Sequence, residues 1–289
     1  MREIKEKAYA KLNISLDVTG RRSDGFHDMV MVMQTISLCD ELSISLNDSG
    51  LVHASSNLSF IPGDERNLAV KAALAYFKAI DKEGQGAEIV MDKTIPVGAG
   101  MAGGSSDAAA VLRGLDRLYG NILGREGLTE LAAAVGSDVA FCVAGGTALA
   151  TGRGEKLMDL PPLPQCSFVV CKPEFSISTP ELFRKLDQAN LRRHPDTMGI
   201  LNALGQGQLK EICRRMYNVF EDVDDRRLRT VSEIKSLMLD SGALGAIMTG
   251  TGSAVFGIFQ QDEKAEIASE LLKKDYNFAC TAKPVPCLF

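Results

Sequence analysis

A run of glycines, Pro96-Val97-Gly98-Ala99-Gly100-Met101-Ala102-Gly103-Gly104-Ser105-Ser106-Asp107, opens directly into Ala108-Ala109-Ala110. Glycine lets the backbone curl until successive N–H groups face one centre. A helix starting at that point adds the positive end of its dipole, so the segment is suited to hold phosphate. The hydroxyls of Ser105 and Ser106 are further donors, and either one offers a magnesium ligand. The loop is not a Walker A sequence, because the Gly-Lys-Ser/Thr ending is missing, and Gly98, Gly100 and Gly103 as a Gly-x-Gly-x-x-Gly subset are weak evidence alone. In isolation the weaker alternative is a tight turn capped by Ser or Asp, with no ligand.

The elements around it are those a phosphate loop needs. Ala87 to Met91 suits a strand, and Ala108, Val111, Leu112, Leu115, Leu118 and Tyr119 form a helical stripe ended by Gly120, which puts the glycines between a strand and a helix N-terminus. Upstream, Leu68, Ala72, Ala75, Tyr76 and Ile80 predict a helix over 67–80. At the N-terminus Ala8, Ala10, Leu12, Ile14, Leu16 and Val18 alternate with Tyr9, Lys11, Asn13, Ser15 and Asp17, the pattern of a strand with two unlike faces. Lys11 and Asn13 then point the same way, about 7 Å apart. Gly20 to Gly25 reads as a polar loop, and Met29 to Leu38 and Glu41 to Leu46 as two further strands of an antiparallel sheet. Helical periodicity with few turn signals runs from Thr179 to Gly242, followed by strand-like Ala243 to Met248 and Ala254 to Phe259 around Gly250-Thr251-Gly252-Ser253, itself readable as a hairpin turn.

Composition narrows the classes. The 289 residues suggest one large or two medium domains, and Pro161, Pro162 and Pro164 suggest a boundary giving 1–160 and 161–289. A net charge of −5 lacks the basic excess that nucleic acid demands. No apolar run approaches the roughly 20 residues that span a bilayer, and Met1 to Lys7 alternates charged with apolar residues, so neither membrane nor export is expected and the chain reads as cytoplasmic. Seven scattered cysteines without a CxxC pair, and only three histidines, point to reduced thiols and away from zinc.

The motifs occur in an order that resembles the GHMP small-molecule kinases across nearly the whole chain. They are Ala10-Lys11-Leu12-Asn13, Thr19-Gly20-Arg21-Arg22-Ser23-Asp24-Gly25-Phe26-His27, the glycine loop, Gly136-Ser137-Asp138-Val139, Lys172-Pro173 with Ser178-Thr179-Pro180-x-x-Phe183, and Gly245-Ala246-x-x-Thr249-Gly250-Thr251-Gly252-Ser253. The segment through His27 is similar to the branch of that superfamily acting on a cytidine diphosphate of methylerythritol, in the non-mevalonate route to isoprenoid precursors.

This resemblance implies a two-domain α+β fold: an N-terminal domain with a left-handed βαβ phosphate loop, a C-terminal α/β sandwich, and the active site in the cleft between them. It implies transfer of the ATP γ-phosphoryl, with Mg2+, to the tertiary hydroxyl on carbon 2, by a monomer or weak homodimer. Asp138 is then the general base and Lys11 the cation beside it; without the family, Asp138 would read as a helix N-cap and Lys11 as the solvent face of a strand. Asn13 and Thr179 are expected at the substrate, with cytosine read by His27 and sandwiched between Phe26 and Phe183. The family often has tyrosine where this chain has Phe26, so stacking is kept while a phenolic hydrogen bond is lost. Asn67 and Lys93 are expected near adenosine, and Pro96, Val97, Gly98, Ala99, Gly100, Met101, Ala102, Gly103, Gly104, Ser105, Ser106 and Asp107 around the phosphates. Mevalonate or homoserine kinases, and an inactive nucleotide-binding protein, are the rival readings.

Overall fold

A computed structural model of the chain describes residues 2–189, 191 and 193–289. The elements follow in the order β1 (Glu3–Arg21), β2 (His27–Asn47), β3 (Val52–Ser56), α1 (Leu68–Ala79), β4 (Gly86–Asp92), α2 (Gly103–Leu118), α3 (Gly124–Val135), α4 (Val139–Ala144), β5 (Thr147–Gly152) and β6 (Lys156–Asp159). Then come β7 (Ser167–Lys172), α5 (Thr179–Gln188), α6 (Thr197–Gly205), α7 (Leu209–Arg214), β8 (Tyr217–Asn218), α8 (Leu228–Asp240), β9 (Gly245–Met248), β10 (Val255–Phe259), α9 (Asp262–Leu272) and β11 (Phe278–Ala282).

Two sheets result. The first has the order β3-β4-β2-β1-β8, with β5 also on β2 and β6 on β5; the second has the order β11-β7-β10-β9 and is wholly antiparallel. The long β2 explains the branch, since its Glu41–Asn47 half pairs with β4 and its Met29–Gln34 half with β5, while β1 follows almost its full length. The chain returns to the first sheet late, through β8 parallel to β1 at Ser15 and Leu16 and through a bridge from Pro284 to Ile36 of β2.

The sequence reading of two strands over 29–38 and 41–46 is corrected to this single strand. Asp40, which reads as a break, is fully buried inside β2, and its carboxylate accepts hydrogen bonds from the backbone of Thr94 and Ile95. The helical span from Thr179 is likewise divided into α5, α6, α7 and α8 with β8 between; positions 190 and 192 of that span lie outside the described residues.

In β1 the alternation holds locally, but its packing partners change. Ala8, Leu16 and Val18 join the larger core with α1 and α2, while Ala10, Leu12 and Ile14 join a second core with Phe168, Phe256 and Ile247. Register irregularities at Tyr9/Lys11 and Asn13/Ser15 bracket that inner stretch, as bulges that re-aim a strand do. Lys11, Asn13, Ser15 and Asp17 on the other face are buried too. The central helix α2 is buried from Ser106 to Asp116, and Gly114 permits this approach, since a Cβ there would lie 2.7 Å from Ile44. Among the described residues no helix is long and apolar enough to cross a membrane.

Candidate active site

The glycine loop ends at an uncapped helix. Ala102 precedes α2 with φ of 59° and has no side chain that could accept from its N–H groups, and Ser106 gives its hydroxyl hydrogen to the carbonyls of Tyr9 and Ala102, at 2.7 and 3.0 Å. The first N–H groups of α2 therefore keep the unsatisfied donors that make helix N-termini anion sites. Gly100 is required by a close crossing: with φ of 76°, a Cβ on it would stand 2.3 Å from the carbonyl oxygen of Thr249. The loop is fastened there to the turn after β9, because Ala254 N donates to the Ala99 carbonyl at 3.1 Å.

Across from this loop sits an acid and a base. Gly136 ends α3 and Asp138 begins the short α4, yet the carboxylate makes no capping hydrogen bond. It is one-third exposed and lies 3.8 Å from the ammonium of Lys11, which is 5% exposed. Lys11 is held from both ends, since its N–H donates to Met101 O at 3.2 Å and its Nζ donates to Asn13 Oδ1 at 2.7 Å. Asn13 is fully buried: its Oδ1 also accepts from Gly250 N at 3.0 Å and its Nδ2 lies 3.3 Å from Met31 Sδ. The amide thus orients Lys11 and the Gly250 loop, not an open face of the cleft. Gly154 backs the acid, as a Cβ on it would come within 4.0 Å of Asp138 Oδ1.

Beneath the loop is a second set of charges. The Lys93 ammonium is bound between the carboxylates of Asp40 and Asp107, all three being nearly or fully buried. Asp40 has the two backbone donors as well, whereas one oxygen of Asp107 has no partner among the described residues. Two buried carboxylates sharing one cation cannot both ionise easily. Asp107, lacking such backbone donors, has its carboxyl pushed up to about 7 by burial, with Lys93 opposing and Asp40 adding to the rise. Lys93 and Asp107 therefore brace the loop from below. Asn67 is similarly engaged: its Oδ1 caps α1 at Ala69 N and its Nδ2 donates to Pro62 O, each at 2.9 Å, and it lines the cleft beside Leu68.

At the other end, His27 starts β2. Its ring stacks on Phe183 of α5 at 4.6 Å between centroids, and Phe183 meets Phe220 edge-on at 4.9 Å. Phe26 is 53% exposed with the Arg153 guanidinium 5.0 Å from its ring centroid. His27 thus occupies one face of Phe183, in place of the simple facing pair of phenylalanines expected from the sequence. Thr179, at the start of α5, lies 2.8 Å from the hydroxyl of Thr251.

Most of these groups border one cleft of about 1210 Å3, lined by Lys11, Phe26, His27, Asn67, Lys93, the loop from Pro96 to Ser105, Asp107, Asp138, Thr179 and Phe183. Asn13 and Ser106 do not line it. Three lining residues carried no clear sequence signal: Arg153, Arg184 and Asp187. Arg153 lies between Gly152 and Gly154, a pair of positive-φ glycines that marks a tight turn beside the site. Cys142 packs next to Asp138, and its thiol, pushed up to about 12 by burial, stays protonated. No cluster of three His, Cys, Asp or Glu side chains suited to a metal occurs among the described residues.

Residues 67–146 match the model of the GHMP kinases N terminal domain, and 200–277 that of the GHMP kinases C terminal. The chain is 42% identical over 282 residues to a 4-diphosphocytidyl-2-C-methyl-D-erythritol kinase of Clostridium tetani, covering 98% of this chain and all of the relative. It superposes on a crystal structure of 4-(cytidine 5'-diphospho)-2C-methyl-D-erythritol kinase with a TM-score of 0.81 and 33% identity, covering 97% of this chain and 99% of that one. A homoserine kinase from Cytophaga hutchinsonii shares the fold at a TM-score of 0.77 and 21% identity, over 99% and 96% of the two chains.

Proposed function

The chain belongs to the GHMP kinases, and we propose that it transfers the γ-phosphoryl group of ATP to the tertiary 2-hydroxyl of 4-diphosphocytidyl-2-C-methyl-D-erythritol, releasing ADP and the 2-phosphate. The observation that carries this reading is the placement of Lys11 and Asp138, 3.8 Å apart, in the same cleft as an uncapped glycine loop. The relatives' names supply the acceptor. The cleft forms between residues 1–160 and 161–289, the second part contributing α5 and the Gly250 loop.

Phosphoryl transfer asks a protein chiefly for alignment and for compensation of charge. The N–H groups at the start of α2 and the glycines before it receive the nucleotide phosphates. Asp138 accepts the hydroxyl proton as the oxygen bonds to phosphorus. Lys11, 3.8 Å from that carboxylate, offsets negative charge on the transferring group. Held by Asn13 and Met101, it does this without having to reorganise. Magnesium, when bound, neutralises phosphate charge. Of the two serines expected to hold it, Ser105 lines the cleft with no side-chain partner among the described residues, while Ser106 has given its hydroxyl to Tyr9 and Ala102; the donor set fits a metal held mostly by phosphates with Ser105 alone from the protein.

The test is a phosphorylation assay with ATP and the cytidyl methylerythritol beside mevalonate, homoserine and galactose. Turnover of the cytidyl substrate alone is the expected result; preferential turnover of another acceptor overturns it. In the same assay His27→Ala raises KM for the cytidyl substrate and leaves KM for ATP in place.

A further inference from the structure

Asp187, on the last turn of α5, makes the shortest polar contact of the His27 ring. Its Oδ1 lies 2.7 Å from Nε2, and its Oδ2 is 3.7 Å from a guanidinium nitrogen of Arg21 at the end of β1. His27 is only 10% exposed in its side chain and is fixed against rotation by the stack on Phe183. The other ring nitrogen, Nδ1, has no hydrogen-bond partner among the described residues, and it is not among the buried polar atoms sealed from solvent.

An ionised carboxylate only accepts hydrogen bonds. Facing Asp187, Nε2 must carry the proton, and the neutral ring then has a bare lone pair on Nδ1. Arg21 sets its positive charge against the second oxygen of Asp187, which leaves Oδ1 to face Nε2. Cytosine and uracil differ at carbon 4, where cytosine presents an amino donor and uracil a carbonyl acceptor. We infer that Asp187 is a positioning residue for pyrimidine selectivity: by locking His27 with Nε2–H toward itself, it leaves Nδ1 as an acceptor that takes the 4-amino group of cytosine and repels the 4-oxygen of uracil. A site built around a specific hydrogen bond rejects the analogue lacking it far better than a shape match does, because the buried partner is left unpaired. The inference rests on the cytidyl reading of the cleft and names the group that sets its sign.

Asp187→Asn is the variant to make. Its amide can donate as well as accept, so the preference between the two ring tautomers is removed while shape is kept. Nitrogen-15 NMR of labelled protein reads the His27 tautomer directly, without substrate. The Nε2–H form dominates in the parent protein and mixes with the Nδ1–H form in the variant. Kinetically, the ratio of kcat/KM for the cytidyl over the uridyl analogue falls by about tenfold or more. The change lies in KM for the cytidyl substrate, KM for ATP is unchanged, and Asp187→Glu recovers part of the ratio. An unchanged tautomer and an unchanged ratio in Asp187→Asn, with the parent active on the cytidyl substrate, overturn the role of Asp187. A parent protein that shows the expected tautomer but no turnover of the cytidyl substrate overturns the reading of the cleft and leaves the His27–Asp187 lock standing.

Discussion

Two lysines, Lys11 and Lys93, each meet carboxylate in the same cleft, and they do so in opposite ways. Lys93 is clamped between Asp40 and Asp107, all of them nearly or fully buried, and every oxygen but one has a partner. Lys11 stands 3.8 Å from an acid that is one-third exposed and otherwise unbonded through its side chain among the described residues. Tight, dry pairing fixes a position and uses up the charge; loose pairing beside solvent preserves the charge for a third party. On the proposed mechanism Lys93 is thus part of the scaffold under the glycine loop and Lys11 part of the chemistry above it. The contrast can be broken by mutation, because charges held for architecture and charges held for reaction fail in different assays.

The largest effect is expected at Asp138. Asp138→Asn keeps the volume and removes the proton acceptor, and should lower kcat by about 10² to 10⁴, roughly 3 to 5.5 kcal/mol in the barrier. Because the carboxylate caps nothing, thermal unfolding should stay where it was. A variant with near-normal kcat, or one that melts early, would place Asp138 with the scaffold instead. Lys11→Met should likewise lower kcat, with KM for ATP changing less.

Lys93→Met should reverse that pattern. Removing the cation leaves two buried carboxylates facing each other, and breaking a buried pair in this way costs about 3 to 5 kcal/mol of stability. Urea unfolding measures it directly. Loss of ATP affinity should accompany the loss of stability, since Thr94 and Ile95 hang from Asp40 just before the loop. If Lys93→Met were fully stable yet inactive, the two lysines would not differ in kind.

The two regions also differ in how far they could be seen in the sequence. The glycine loop, the strand with Lys11, and Asp138 between apolar runs are all local signals, since spacing and residue type carry them. The fold class followed from the same motifs. Asp40 was invisible for a physical reason: an aspartate between Cys39 and Glu41 looks like the end of a strand, and only a lysine 53 residues away turns it into a buried ligand. Asn13 shows the converse. Its position beside Lys11 on one face was legible, but the residues that consume its amide, Gly250 and Met31, come from other strands and other turns. Asp187 likewise acquires meaning only when α5 is laid against the start of β2.

A finer separation comes from pH. Asp107 has its carboxyl raised to about 7 in the folded protein against 3.8 for the free side chain. A group with a raised folded value binds its proton more tightly when folded, so its contribution to stability is complete below pH 3.8 and is lost as pH rises through about 7. Asp107→Asn carries no such proton, and the difference in unfolding free energy between parent and variant should therefore shift toward the variant between pH 4 and 7. A parent and variant running parallel across that range would show Asp107 to be ionised throughout.

The smallest expected effect distinguishes the adjacent serines. Ser106→Ala removes a hydroxyl bonded to the carbonyls of Tyr9 and Ala102, and should lower stability by about 1 kcal/mol with kcat near the parent value. Ser105→Ala removes a hydroxyl that has no protein partner among the described residues and faces the cleft, so stability should hold while the magnesium concentration giving half-maximal rate rises a few-fold. Equal behaviour of the two variants in the magnesium titration would remove Ser105 from the metal. Opposite behaviour would carry the contrast between the lysines down to neighbouring residues of one helix turn, where a 100° rotation is enough to send one hydroxyl into the scaffold and leave the other for the nucleotide.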